Sequence, residues 1–332
     1  MFSSAAIMAQ RGIRVFVGFR AHLLVVGVAV VLSLTSGYAR VVDAAEDTII
    51  VTLLGTGTPQ LNPQRFGPST LVQAGGLNLV FDAGRGSSIR MMQVGVPPGR
   101  IDALFITHFH SDHVNGFSDL WMAGYMLNNS SGGRQAPLRV YGGIGVAPMA
   151  EHIALAFRAD TTVRTEGRGA PPGSARIVAH EIATDGVVFD EAGVRVTAFR
   201  VSHIEPSYGY RVDYGGKSVL ISGDTSFDQN LIDHGEGVDL LIHQVRMGPP
   251  GADNGFHTSP EDAGRVFAAT GTKMGVYSHI ILTGRENTDP AGLAELVVRT
   301  RETYDGPLTV GEDLLRFIVG DQITVDSSYV GR

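Results

Sequence analysis

The sequence predicts a layered α/β fold whose strands deliver polar side chains to one edge. Two observations carry that prediction. Short aliphatic and β-branched runs such as Thr48–Leu54, Lys217–Ile221 and Val238–Ile242 alternate with segments of helical spacing such as Ser87–Val94 and Ala263–Ala269, the pattern of strands covered by helices. Histidines and aspartates then recur where apolar runs stop: His108, His110, Asp112 and His113 after Ala103–Ile106, His203 after Val194–Val201, Asp224 after Lys217–Ile221, and His279 after Met274–Ser278. Side chains brought from the ends of separated strands meet at one sheet edge, which is where layered scaffolds build sites.

The first forty-four residues read differently from the rest. Arg11, Arg14 and Arg20 precede the apolar run Leu23–Leu32, and Val42 and Ala44 supply small residues before a cut near Ala45. This is the pattern of a secretory signal peptide, and the run is shorter than the roughly 20 residues of a membrane span. The chain is therefore expected to divide into a signal segment, 1–44, and one large domain, 45–332, and to be periplasmic or secreted. A membrane would be met only through an uncleaved N-terminal segment. The segment holds four arginines and one aspartate, so the formal net charge of −7 becomes −10 without it. An acidic chain repels polyanions, and nucleic acid is expected to be a poor partner. With no cysteine, the exported chain would be held by its core and its metals, and any metal ligands would be imidazoles and carboxylates.

In chain order, the first strand, Thr48–Leu54, ends in Gly55-Thr56-Gly57-Thr58-Pro59. No third glycine opens a helix there, and Pro59 and Pro63 speak for an irregular loop rather than a dinucleotide fingerprint. Ser69–Ala74 and Leu77–Asp82, separated by Gly75-Gly76, form a tight hairpin. The buried strand Ala103–Ile106 then delivers Thr107-His108-Phe109-His110-Ser111-Asp112-His113. Three imidazoles and a carboxylate at this density suit zinc or another borderline divalent ion, and ligands two, four and five residues after the first crowd a single ion, so two adjacent ions are expected. Gly116–Leu127 has helical spacing, with an aromatic face expected near the site mouth and Trp121 itself expected in the core rather than as a substrate platform. Leu138–Tyr141 is a strand and Met149–Phe157 a helix with His152 at the surface. Residues 160–186, rich in Gly, Pro and Arg, are expected to form a long irregular connection of the kind that closes active sites. His180 is expected to be structural.

In the second half, Gly223 lets the chain turn and leave Asp224 projecting from its strand end. The run Val238–Ile242 ends at His243-Gln244. Ser259 and Pro260 are an N-cap and first helical residue, acids follow, and Gly271 stops the helix. His257 thus sits just before a helix N-terminus, where the dipole favours a neutral imidazole and attracts anions. Asp289-Pro290 opens a helix to about Tyr304, and alternating residues up to Val325 give an edge hairpin.

The H-x-H-x-D-H run, with the segments "GTGTP", "FDAG", "EPSYGYR" and "GDT" in order, resembles the metallo-β-lactamase superfamily, and specifically its tRNase Z and arylsulfatase-like branch, over about residues 48–320. The resemblance implies a four-layer αββα sandwich with two divalent metal ions, zinc above all. One ion is assigned to His108, His110 and His203 and the other to Asp112, His113 and His279, with Asp224 bridging; Asp82 would stand behind the ligands or serve as a loop carboxylate. His257, Asp112 and Gln244 are the expected catalytic residues. Relatives with tRNase activity carry a glutamate where this chain has Gln244, and an amide can orient a neighbouring imidazole but cannot charge it. The expected activity is that of an exported binuclear hydrolase whose metal-bridging hydroxide cleaves a small-molecule ester, an aryl sulfate or phosphodiester first, with a β-lactam or lactone as the alternative. A non-catalytic zinc-binding protein is the reading from another class. Only the turn Tyr214-Gly215-Gly216 separates "GYR" from "SGDT", which leaves no RNA-gripping arm and argues against tRNA. A homodimer is compatible with this reading.

Overall fold

The computed structural model describes residues 47–126, 132–171, 173–249 and 255–331, so the expected signal segment lies outside the described residues. In chain order, β1 (Ile49–Gly55), β2 (Ser69–Ala74) and β3 (Leu77–Phe81) form an antiparallel meander. Then α1 (Ser87–Gln93) crosses to β4 (Ala103–Phe105), and α2 (Ser111–Val114) and α3 (Phe117–Tyr125) lead to β5 (Leu138–Gly143). After α4 (Val146–Ala156) and α5 (Arg158–Gly167) comes β6 (Ile177–Ile182). The second sheet begins with β7 (Gly186–Glu191), β8 (Val194–Arg200), β9 (Tyr208–Tyr214) and β10 (Lys217–Ile221). It continues through α6 (Gln229–Gly235), β11 (Leu240–Met247), α7 (Pro260–Thr270), β12 (Met274–Leu282), α8 (Pro290–Thr300) and β13 (Leu308–Val310), and the hairpin β14 (Arg316–Val319) and β15 (Ile323–Asp326) returns to the first sheet.

The two sheets have the orders β15-β14-β1-β2-β3-β4-β5-β6 and β13-β12-β11-β10-β9-β8-β7, each part antiparallel and part parallel. Period-two alternation sorts their side chains into three apolar layers. Ile49, Val51 and Leu53 of β1, Phe105 of β4, and Val219 and Ile221 of β10 meet between the sheets. Leu104 and Ile106 point the other way, onto Phe117, Leu120 and Trp121 of α3. Leu220 points onto the opposite helical layer, with Val266 and Phe267 of α7 and Leu296 of α8. Helix, sheet, sheet, helix is the four-layer αββα sandwich that the sequence predicts.

Aromatic packing concentrates beneath the His-rich loop. Phe105 stacks on Phe81 at 4.8 Å and on Tyr141 at 5.0 Å, and meets Tyr210 edge-on at 5.5 Å. Tyr210 Oη donates across the sheets to the Ile106 carbonyl at 2.7 Å, and the Tyr208 amide donates to the Thr107 carbonyl at 2.9 Å. Both bonds lie where β4 ends, so the two sheets are fastened at the edge that carries the site.

Several expectations need correction. Residues 160–186 are not one irregular connection: α5 occupies Arg158–Gly167 and β6 occupies Ile177–Ile182. Both are poor in buried residues, as edge elements are, which is why the apolar pattern was too faint to read. The aromatic face of α3 is core and not a rim of the site, although Trp121 itself is buried as expected, its Nε1 donating to the Ala175 carbonyl at 3.2 Å. Nor do the strands end at His243-Gln244 and His279, since β11 runs on to Met247 and β12 to Leu282. His180 is structural as expected, stacked on Tyr141 at 4.5 Å.

Phe105→Ala should open a cavity between the sheets and lower stability by about 3–5 kcal/mol. Urea unfolding of the variant against the parent chain checks this; a loss below about 1 kcal/mol would show that the aromatic cluster can close over the gap.

Candidate metal centre

Two histidines of the β4 loop, His108 and His113, have their outer nitrogen held by an oxygen, and that fixes how each ring is turned. Thr107 donates its backbone N–H to Asp82 Oδ1 at 2.8 Å and its hydroxyl to Asp82 Oδ2 at 2.8 Å. With its proton spent, Thr107 Oγ1 accepts from His108 Nδ1 at 3.0 Å. Asp82 Oδ2 also accepts from His113 Nδ1 at 2.7 Å. On the second sheet, His203 Nδ1 faces the Phe256 carbonyl at 2.8 Å and must donate to it. In all three imidazoles Nδ1 therefore carries a proton, and in His108 and His203, which burial keeps neutral, Nε2 is a bare acceptor.

These acceptors converge. His108 Nε2 and His203 Nε2 lie 3.0 and 3.1 Å from His110 Nδ1, so His110 could offer one proton to two acceptors at best. Nitrogen or oxygen atoms of His108, His110, His203 and Asp224 all lie within 4.8 Å of one another, and those of Asp112, His113 and His279 form a second such group. Asp224 stands between the groups: Oδ1 is 3.6 Å from His113 Nε2, and Oδ2 is 3.4 Å from His279 Nε2 and 3.9 Å from His203 Nε2. Asp112 Oδ2 lies 3.1 Å from His279 Nε2. His113 Nε2, Asp112 Oδ1 and Asp224 Oδ1 are buried with no hydrogen-bond partner. Such atoms are costly to bury unless something electropositive meets them. Imidazole nitrogens and carboxylate oxygens at this spacing fit divalent cations of the zinc type.

The electrostatics agree. Burial, and then the neighbouring His113, push the His108 imidazole far below its ordinary pKa, and burial also lowers that of His203. Burial resists ionisation of Asp224, but His279 and His113 overcome it and hold its carboxyl well below the usual range. Burial likewise resists charge on His113, yet Asp82 and Asp224 raise its pKa well above the ordinary value. A bound cation would take the place of that proton.

Local backbone geometry serves the same end. Gly223 has φ 62°, and a Cβ there would stand 2.9 Å from the Tyr208 carbonyl oxygen, so only glycine lets the chain swing Asp224 into place. His279 and Asp82 adopt left-handed backbone angles, φ 45° and 61°. The register between β11 and β12 shifts at this point, Gln244 pairing with Ser278 and Val245 with Ile280, so His279 is the extra residue of a bulge. The bulge turns its ring out of the sheet toward Asp112, and the strain sits where the site needs it.

His257 lies beside this cluster, its Nδ1 3.9 Å from Asp224 Oδ2. Gln244 Nε2 donates to the Thr225 carbonyl at 2.6 Å, which turns Gln244 Oε1 toward His257 Nδ1 at 3.2 Å. An amide oxygen only accepts, so His257 carries its proton on Nδ1. Burial lowers its pKa to about 4 despite Asp224, leaving a neutral imidazole at neutral pH. Sequence reasoning did not find Thr107, which aligns His108, nor the carbonyls of Phe256 and Thr225. Thr107 was within reach as the residue opening the His-rich run; backbone carbonyls leave no mark in a sequence.

Residues 78–280 match the family model described as a beta-lactamase superfamily domain. A "Ribonuclease Z" from Mycobacterium sp. (strain KMS) is 31% identical over 291 residues, covering 83% of this chain and 98% of the relative. Among solved structures, the metallo-beta-lactamase fold protein YhfI from Bacillus subtilis has a TM-score of 0.64 at 17% identity, with 81% of this chain and 98% of that one covered. Human tRNase Z, short form, has a TM-score of 0.62 at 22% identity, with 80% and 98% covered. These likenesses overturn the expectation that nucleic acid is a poor partner. Net charge is a property of the whole surface, whereas a substrate meets the field of one site. With the αββα fold, the clustered ligand atoms and these relatives together, the chain belongs to the metallo-β-lactamase superfamily of metal-dependent hydrolases, in its ribonuclease Z branch.

Proposed function

We propose that this hydrolase is a phosphodiesterase acting on RNA, with two divalent ions, one held by His108, His110 and His203, the other by Asp112, His113 and His279, and Asp224 reaching both. The observation that carries the reading is the convergence of imidazole nitrogens and carboxylate oxygens, several of them buried without a hydrogen-bond partner, beside His257, in a chain that spans almost the full length of relatives named Ribonuclease Z. Bound divalent ions supply Lewis acidity, making water a better nucleophile and offsetting charge that builds on the attacked phosphoryl group. The protein's own part is to fix tautomers and exclude competitors. Asp82 and Thr107 aim His108 and His113, and Gln244 holds His257 as a neutral imidazole against the site. Side-by-side turnover of bis-p-nitrophenyl phosphate, a short RNA, p-nitrophenyl sulfate and a chromogenic cephalosporin tests the substrate class. Phosphodiesters should be preferred; turnover of the sulfate or the lactam alone would overturn the reading, and none at all would favour a zinc-binding protein.

Elemental analysis should give close to two divalent metals per chain, zinc first among them. Asp224→Ala should lower that number, because removing the central carboxylate leaves two cations facing each other with little between them. A single metal that survives the substitution would show that the two groups do not act together.

His257→Ala should leave metal content intact and reduce kcat by about 10²–10⁴, the usual scale for a positioned proton-transfer group, here a neutral imidazole able to accept a proton. Gln244→Glu adds a negative charge beside the imidazole, so its pKa should rise from about 4 and the acid limb of the pH–rate profile should move to higher pH. Loss of metal from His257→Ala would instead make this histidine structural.

Export is also proposed, on the arginine-flanked apolar run before Ala45. N-terminal sequencing of secreted material should find a chain starting near Ala45; full-length protein in the membrane fraction would point to an uncleaved anchor.

A further inference from the structure

His257 also lines a cavity of about 60 Å³ that is bounded by Ser226, Phe227, Arg246, Gly248, Pro249 and Ser259 and by the charged side chains of Asp262 and Arg299. Its charged groups are not equivalent. Arg299 is clamped by Glu261 at 2.6 and 3.0 Å and donates to the Gly248 carbonyl at 2.7 Å. Asp262 accepts from Ser259 Oγ at 2.9 Å and is paired with Arg265. Arg246 is half-buried, and among the described residues its guanidinium has no hydrogen bond or ion pair. It extends past Gly248, where a Cβ would stand 3.2 Å from Nη1. Phe227, 46% exposed, forms an apolar rim.

An unpaired, partly desolvated guanidinium is a poor structural element and a good anion receptor, because its planar fork matches the oxygens of a phosphate. The volume admits one small tetrahedral group beside the reaction centre, and the exposed phenyl ring offers a face to an adjoining base. We propose that Arg246 forms a subsite for a second phosphate of the substrate, the one neighbouring the scissile phosphodiester along the strand. The proposal rests on the phosphodiesterase reading above and narrows it: the enzyme distinguishes a strand, with successive phosphates, from an isolated diester.

The test uses the metal-loaded protein with UpU, pUpU, UpUp and bis-p-nitrophenyl phosphate. The parent enzyme should favour pUpU or UpUp over UpU. Arg246→Ala should lower kcat/KM on the favoured dinucleotide by about 10- to 100-fold, mainly through KM, the scale of a lost charge-assisted hydrogen-bond pair. UpU and bis-p-nitrophenyl phosphate should be nearly unaffected, Arg246→Lys should recover part of the loss, and added salt should erode the preference. In calorimetry, uridine 3′,5′-bisphosphate should bind more tightly than uridine 3′-phosphate to the parent chain and equally to Arg246→Ala. An equal loss on all four substrates, or a parent enzyme indifferent to the second phosphate, overturns the subsite while leaving the phosphodiesterase reading standing. Absence of turnover on every phosphodiester overturns that reading instead, and the calorimetric comparison still decides whether Arg246 receives a phosphate.

Discussion

The structure depends on one constraint: imidazole nitrogens and carboxylate oxygens gathered at one sheet edge with too few protons to satisfy one another. Asp82, Thr107 and the Phe256 carbonyl take the N–H groups of His113, His108 and His203 on the outer side of each ring. What remains inside is a set of lone pairs and carboxylate oxygens that repel one another unless a cation stands among them. Folding this chain therefore stores an electrostatic demand, and metal binding meets it. Removing an outer partner such as Asp82 would therefore matter although it lies outside the ligand groups: freeing the ring of His113 frees its orientation as well.

That constraint reaches back into the fold. Two sheets from the two halves of the chain must deliver groups to within a few ångströms, so they are fastened at the site edge by Tyr208 and Tyr210 and packed beneath it by Phe81, Phe105 and Tyr141. Strand ends alone do not suffice. His279 arrives through a bulge and Asp224 through a glycine turn, and both devices turn side chains that ordinary pleating would have sent into the sheet interior or its helical cover. Left-handed backbone at Asp82 and His279 places the residual strain among the groups whose positions are most tightly fixed.

Much of this was legible in the sequence because it was written in side chains. The apolar runs of β1, β2, β3 and β10, the Ser259-Pro260 start and Gly271 stop of α7, and the polar residues after β4, β8 and β10 are local signals that the tertiary structure had no reason to override. The parts that were not legible are of two kinds. Edge elements such as α5 and β6 bury little, so their periodicity is weak. The bulge at His279 and the carbonyls that orient His203 and Gln244 are backbone features of chain segments far apart in sequence. The expectation that nucleic acid is a poor partner failed for another reason: net charge averages over a surface, while recognition is set by the few groups that line one cavity.

Gln244 shows how much can turn on one backbone carbonyl. Because Thr225 presents an acceptor, the amide of Gln244 must direct its nitrogen there and its oxygen to His257, and the proton of His257 must then sit on Nδ1. A carboxylate at this position would share its oxygens differently and stabilise an imidazolium. The amide cannot, and burial leaves the ring neutral with a pKa near 4. The site consequently separates two duties that a charged histidine would combine: positive charge comes from the ions and from Arg246 at its margin, and His257 supplies a directed, uncharged dipole. A centre built this way should be less dependent on histidine protonation near neutral pH and more dependent on the occupancy of its metal groups, so that metal supply, rather than proton concentration, sets its working range.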